Sequence, residues 1–186
     1  MNAHSLAPLL LGALLCACAT SPPPLPLDSV DAVASQVTIN DSDFDTYRAY
    51  RTPAIKSTFK RGGGLYPSTD SVKTTLTLLR HKPSGKTTLL LSAYIEYGGG
   101  WRFYESASLQ GGALLQSKAT KRNVESCRRS YDCDFNESVV FDLPFNISTM
   151  SRSGFSIRVN AKQGPELMLV VPPTYVDGLL QASAAR

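Results

Sequence analysis

The sequence predicts a mainly antiparallel all-β domain, a β-sandwich or open barrel meander, closed by a short C-terminal helix. Apolar and polar residues alternate along at least six segments, and this period of two is typical of half-buried strands. Turn residues separate these segments at intervals of about 8–15 residues, as in antiparallel sandwiches and barrels. No internal repeat is present.

The first predicted hairpin joins residues 72–80 to residues 87–97. Pro83 and Gly85 lie between the two segments, where proline suits the second position of a turn and glycine suits a left-handed position. Apolar and β-branched side chains share one face of each strand. They are Val72, Thr74, Leu76 and Leu78 on the first strand and Leu89, Leu91, Ala93 and Ile95 on the second.

A second hairpin is predicted around the three glycines 98–100. If these glycines form the loop, each opposing pair is aromatic, apolar or oppositely charged, and such pairs stabilise a sheet by about 0.2–1 kcal/mol each. A slip of one residue destroys the matching. The predicted pairs are Tyr97 with Trp101, Glu96 with Arg102, Ile95 with Phe103 and Tyr94 with Tyr104.

The later elements follow the same reasoning. Strands are predicted in residues 113–124, 138–143 and 155–159, and residues 166–171 are apolar on both faces, so we expect a central strand there. A helix should follow Pro172 and Pro173. Short helical turns are further expected in residues 28–36 and 146–153. The predicted core stripe of the C-terminal helix is Tyr175, Val176, Leu179 and Leu180, with Gly178 weakening the helix.

Cys127 and Cys133 are predicted to form a disulfide that closes a short loop. In an oxidising compartment a disulfide is the default for such a pair. The less favoured alternatives are a metal site with His81 or Asp132, and a redox-active pair, which is usually a CxxC motif at a helix start.

The N-terminus carries a targeting signal. An apolar run at residues 9–15 is too short to span a bilayer, which needs about 20 apolar residues, but it fits a secretory signal. The following Leu15-Cys16-Ala17-Cys18 resembles the bacterial lipoprotein signal. The resemblance implies that residues 1–17 are removed and that Cys18 carries the acyl chains. An ordinary signal cleaved near Ala19 and an uncleaved anchor are the alternatives.

Composition predicts the organisation of the chain, and the resemblance implies a location. The prolines at 22–24 and 26 predict an extended tether in residues 18–35, and residues 36–186 are expected to form a single β-rich domain. Ala19 rather than aspartate follows Cys18, which in Gram-negative lipoproteins favours an outer-membrane, periplasm-facing anchor. The net charge of +4 is mild, and no nucleic-acid partner is expected.

Catalytic motifs are incomplete. Ser84-Gly85-Lys86-Thr87 matches only the end of a phosphate-binding loop, and Ser57-Thr58-Phe59-Lys60 matches S-x-x-K without its partner motifs. Glu96 and Glu105 are predicted to lie on opposite faces, and His81 has no evident carboxylate to orient it. We therefore expect no enzyme, no cofactor and no metal, with an enzyme acting on an envelope substrate as the alternative.

Binding residues are predicted in two clusters, with the glycine-rich loop 60–64 as a weaker third. Basic side chains could meet an anionic envelope polymer or an acidic protein, or simply discourage pairing of a strand edge. Aromatic side chains could stack on sugars or hold a peptide, or simply pack in the core. The basic cluster is Lys118, Lys121, Arg122, Arg128 and Arg129, and the aromatic cluster is Tyr94, Tyr97, Trp101 and Tyr104. The expected function is a non-enzymatic binding or assembly module.

Overall fold

The computed structural model describes residues 27–60, 69–110, 112–129, 132–144 and 153–185. It is mostly antiparallel β structure, with 60% of residues in strands, and the sheet curls into a half-barrel with a short C-terminal helix. The predicted fold class is therefore confirmed. The strands are β1 Thr38–Asn40, β2 Tyr47–Arg51, β3 Ile55–Lys60, β4 Thr69–His81, β5 Thr87–Gly98, β6 Tyr104–Leu109, β7 Leu114–Arg129, β8 Asp132–Leu143, β9 Phe155–Ala161 and β10 Leu167–Val171; the helices are α1 Val30–Ser35 and α2 Pro173–Ala184.

The strand order is β1-β2-β4-β5-β8-β7-β6-β9-β10, with β3 also paired to β4. The long strand β7 belongs to both halves of the sheet. Its residues 114–116 pair with β6, whereas residues 117–129 pair with β8. We call β1–β5, β8 and the second part of β7 the first half, and β6, β9, β10 and the start of β7 the second half.

The predicted β4–β5 hairpin is confirmed. Arg80 lies opposite Thr87, and Gly85 takes a φ of +67° in the turn, a value that glycine adopts without steric cost. The predicted inward faces are buried on both strands. The rest of the core comes from β2 and β8, from the second half of the sheet and from the helices. It includes Tyr50, Val139, Phe141, Ala107, Ile157, Val159, Leu169 and Leu179.

The predicted hairpin at residues 94–104 is wrong. β5 pairs with β4 and β8, and β6 pairs with β7 and β9, so the segment after Gly98 crosses from one half of the sheet to the other. Arg102 does not face Glu96 but binds Asp70. The local pairing was plausible, but a buried charge partner 32 residues upstream outcompetes it.

The last predicted strand lies at an edge and not at the centre. β10 pairs with β9 alone in the described part of the chain. Its inner residues Leu167, Leu169 and Val171 are buried, whereas Met168 and Val170 on the other face are 51% and 55% exposed. Apolar side chains on both faces of β10 therefore do not reflect burial on both faces.

The two helices pack against each other. Gly178 in α2 lies so close to α1 that an added Cβ would stand 2.7 Å from the Cβ of Val33. The predicted stripe of α2 is confirmed, with Tyr175, Val176 and Leu179 buried and Leu180 partly buried. The short helix predicted in residues 28–36 is confirmed as α1. The sequence placed these residues in the tether, but Val33 belongs to the core. Cys18 and residues 146–152 of the predicted helical turn lie outside the described residues.

Candidate functional site

Glu137 of β8 is the centre of a polar network at one end of the half-barrel. Its carboxylate is fully buried and accepts four hydrogen bonds. The Tyr97 hydroxyl, the backbone N–H of Phe103 at 3.0 Å, the backbone N–H of Tyr104 at 3.0 Å and Nε of Arg122 at 2.9 Å donate them. A buried charge with this many donors is stabilised in place.

A second ion pair lies beside Glu137. Nη1 and Nη2 of Arg102 donate to the Asp70 carboxylate at 2.6 and 3.1 Å, and Nη1 also donates to the Tyr104 hydroxyl at 3.0 Å. Arg102 and Asp70 are 3% and 1% exposed. The pair connects the crossover segment 99–103 to strand β4, and thus fixes where the chain passes between the two halves of the sheet.

Two tyrosines of the predicted aromatic cluster belong to this network. Burial, together with the hydrogen bond to Glu137, raises the pKa of Tyr97 far above its ordinary value. Burial likewise raises the pKa of Tyr104. Both phenols therefore stay protonated at physiological pH. Tyr97 donates its proton to Glu137, and Tyr104 donates to the backbone oxygen of Pro165 at 3.1 Å.

The other two aromatic residues are separated. Trp101 is partly buried, and its ring centroid lies 4.6 Å from that of Phe135. Tyr94 faces outward from β5, where Nζ of Lys73 lies 5.2 Å from its ring centroid. Partial burial, and next the nearby carboxylates of Glu125 and Glu96, raise the pKa of Tyr94. The four predicted aromatics thus do not form one surface.

The predicted basic cluster lies along β7. Lys118 contacts Asp142, and Lys121 is exposed opposite Ser138. Arg122 points inward, where it binds Glu137 and, through Nη2 at 2.9 Å, Glu105. Arg128 and Arg129 end the strand near the tip, and their side chains are not described. Arg122, in the middle of this cluster, therefore stabilises the fold by binding two carboxylates.

The tip of the β7–β8 hairpin carries the predicted disulfide. Cys127 and Cys133 lie opposite each other and are bonded, so this prediction is confirmed. The backbone N–H of Gly99 donates to the carbonyl of Cys133 at 3.1 Å. The tip is therefore attached to the start of the crossover segment.

The incomplete catalytic motifs lie in ordinary strands and turns of the sheet. Ser57 and Lys60 are three residues apart on strand β3, and successive residues of a strand alternate faces, so the two side chains cannot meet as a nucleophile and its base. Ser84-Gly85-Lys86 forms the β4–β5 turn, and His81 Nδ1 lies 2.7 Å from Ser84 Oγ. Within the described ranges, no group of three His, Cys, Asp or Glu side chains is placed to hold a metal.

A groove that the sequence did not predict crosses the outer face of the second half of the sheet. Its volume is about 610 Å³. One row of opposed residues runs beneath it, from Leu114 through Ser108 and Arg158 to Met168. Nη1 of Arg158 lies 3.4 Å from Glu166 Oε2, and both side chains are about half exposed. The groove lining is Ser108, Leu109, Gln110, Gly112, Ser156, Arg158 and Met168.

A smaller cleft of about 260 Å³ lies between the crossover segment and the β9–β10 turn. Trp101 and Arg102 line one side, and Gln163, Gly164 and Pro165 line the other. The sequence holds only weak indications of the groove and the cleft. They are the polar residues that alternate along β9 and the glycine and proline in the turn after it. Of these lining residues, only Trp101 was predicted as a site residue.

No helix among the described residues combines the length and the apolar character that crossing a membrane would require. The comparisons with known proteins gave no relatives. No protein-family model, no curated protein and no solved structure matches this chain significantly.

Proposed function

We propose that this protein is a lipid-anchored, non-enzymatic module of the bacterial cell envelope that faces the periplasm from the outer membrane and binds an envelope protein. The anchor is supported by the apolar run at residues 9–15 and by Cys18, which follows it in a lipobox-like context. Several acyl chains hold a protein stably on a membrane, whereas one chain binds only reversibly.

The observation that carries the binding role is the outer face beside β10. Met168 and Val170 of β10 are 51% and 55% exposed, and Leu114, at the β7 end of the row beneath the groove, is 61% exposed. Among the described residues β10 pairs with β9 alone, and its other side offers backbone donors and acceptors to an added strand, a common mode of peptide recognition. Large exposed apolar side chains in such a place mark interaction sites.

The chemistry of the groove suggests the partner segment. Arg158 lies between Ser108 and Met168 in the row beneath the groove, and within the described residues its carboxylate partner is Glu166, at 3.4 Å. An extended segment with apolar residues for Met168 and Val170 and one carboxylate for Arg158 complements this face. The partner is thus an envelope protein that adds such a strand to β10.

The buried ionisable side chains favour binding over catalysis. Glu137 receives four donors and Asp70 a bidentate guanidinium, so both carboxylates are engaged in holding the crossover segment. A general base instead needs to reach a substrate proton.

The test is site-specific photo-crosslinking of the full-length anchored protein in cells. A photoreactive residue at Met168 should capture one protein in stoichiometric amount, whereas one at Ser92, on the outer face of β5, should not. Equal capture from both positions, or none from Met168, would contradict the binding face. The anchor is tested separately, because Cys18→Ala should abolish labelling by a fatty acid and release the protein from membranes.

A further inference from the structure

The cleft beside Trp101 is built from segments that the fold holds rigidly. The crossover segment forms one wall, and the β9–β10 turn forms the other. Backbone N–H groups of Lys162 and Gln163 donate to the carbonyls of Phe103 and Arg102 at 3.2 and 3.0 Å. These bonds join the two walls directly, so the cleft exists before any ligand arrives, as is usual for small-molecule sites.

The inner end of the cleft is fixed as well. Arg102 is held by Asp70, and the Tyr104 hydroxyl donates to the Pro165 carbonyl at 3.1 Å. Gly164 has a φ of +87° and lies against the aliphatic part of Arg102. A Cβ added at Gly164 would stand only 3.3 Å from Arg102 Cδ. A left-handed glycine thus lets the turn approach the arginine closely.

The groups that line the cleft are those that recognise a neutral polar ring. Trp101 supplies a flat aromatic surface beside Phe135, and aromatic side chains combine a large apolar area with rigidity. The Gln163 side chain is exposed and offers both donors and an acceptor. Asp70 compensates the charge of Arg102, and the other described lining residues are uncharged.

We propose that this cleft binds one ring of a neutral sugar, with the C–H face of the ring stacked on Trp101 and its hydroxyl groups bonded by Gln163 and the backbone of the two walls. The volume of about 260 Å³ is just below the range of about 300–1,000 Å³ that is common for drug-sized ligands. One ring of a longer glycan fits that size. The cleft is distinct from the groove beside β10, so this inference does not depend on the proposed partner.

The chain offers a direct readout, because Trp101 is its only tryptophan. We would titrate the full-length protein, solubilised in detergent, with the β-1,4-linked tetramer of N-acetylglucosamine and record tryptophan emission. A saturable change is expected. The same titration with a sulfated oligosaccharide of similar length should give weaker binding that disappears with added salt.

Gly100→Leu is the variant that blocks the cleft. Gly100 lines the cleft, and a Cβ added there would have no atom within 4 Å. The backbone of Gly100 is not in the left-handed region, so the variant should fold normally. We expect its affinity for the tetramer to fall at least about tenfold, which corresponds to about 1.4 kcal/mol. Gly100→Ala adds one methyl group at the same place and should keep affinity within about threefold.

Trp101→Phe provides an independent check by equilibrium dialysis of a radiolabelled tetramer, because it removes the fluorophore but retains an aromatic ring. It should weaken binding by several fold. The proposal is overturned if the tetramer gives no saturable change, if Gly100→Leu binds it as well as Gly100→Ala, or if the sulfated ligand binds more tightly. None of these outcomes bears on crosslinking from Met168.

Discussion

Arg102 and Asp70 form a bidentate ion pair at the junction of the two halves of the sheet, with nitrogen–oxygen distances of 2.6 and 3.1 Å. Both side chains are almost completely buried. Thus a residue of the crossover segment is fixed to β4, and the adjacent walls of the Trp101 cleft depend on this pair.

Arg102→Met should strongly destabilise the domain, because it leaves the Asp70 carboxylate buried without its bidentate partner. Loss of one member of a buried pair typically costs about 3–5 kcal/mol. The free energy of unfolding from urea denaturation measures this cost. Lys73→Met, which breaks the exposed 3.5 Å pair with Glu96, is the control, with an expected cost of about 0–1 kcal/mol. Similar costs for both variants would contradict the buried pair.

Glu137→Ala should also be strongly destabilising, because four donors then lose their acceptor in a buried site. We expect a loss of about 3–5 kcal/mol in the free energy of unfolding. Glu137→Gln keeps one acceptor oxygen and should lose less. Glu166→Gln, at a half-exposed carboxylate 3.4 Å from Arg158, is the matched control and should stay within about 1 kcal/mol. A tolerated Glu137→Ala would show that the network does not hold the crossover segment.

Gly178→Ala should destabilise the contact between the helices, since the new Cβ would lie 2.7 Å from the Val33 Cβ. Overpacking of this kind costs about 1–3 kcal/mol. Val33→Gly in the same chain removes both clashing atoms of Val33, Cβ and Cγ1, so the double variant should be more stable than the sum of the two single effects predicts. Additive effects in that cycle, measured by thermal unfolding, would place the clash elsewhere.

Removing the disulfide with Cys127→Ser and Cys133→Ser should lower the free energy of unfolding by about 2–2.5 kcal/mol, the value of the loop-entropy relation for so short a loop. The same shift should appear when the parent protein is reduced, and reduction should not affect the double variant. A reduced parent protein with unchanged stability would mean that the hairpin holds the tip without the bond.

Glu105 gives a pH-dependent prediction. The hydrogen bond from Lys162, and next that from Arg122, holds the pKa of this carboxyl below its ordinary value of 4.5. Its ionised form therefore stabilises the fold above that value, and the contribution disappears as the pH falls through the lowered pKa. Lys162→Met should raise the pKa of Glu105 towards its ordinary value in a carboxyl-carbon NMR titration. An unchanged titration would show that Lys162 does not hold Glu105.

Local patterns in the sequence predicted the elements whose stability is local. The β4–β5 turn, the inward residues of both strands and the apolar stripe of α2 follow from period and turn chemistry. The Cys127–Cys133 bond follows from the default pairing of two cysteines in an oxidising compartment. Strands β1–β3 were missed because they are short or half-exposed, with Lys56, Thr58 and Lys60 on the outer side of β3.

Long-range relationships could not be predicted in this way. Glu96 and Arg102 matched as local neighbours, but Arg102 binds Asp70. Glu96 instead accepts a hydrogen bond from Ser71 at 2.5 Å and lies 3.5 Å from Lys73. The Glu137 site gathers donors from three separate parts of the chain. The groove lies on strands β6, β9 and β10, and its position depends on the order of the strands in the sheet. That order is set by long-range pairing, which local sequence patterns do not reveal.

The contact between α1 and α2 has a consequence for how the molecule is made. Asp31 and Gln181 are 150 positions apart and share a 2.9 Å hydrogen bond, and Val33 packs against Gly178. Within the described residues, α1 packs mainly against α2, so α1 lacks this contact until α2 has been synthesised. Such distant contacts slow folding, so the packing of α1 is completed only after α2 has left the ribosome. A variant that lacks α2 should thus expose α1 to proteases.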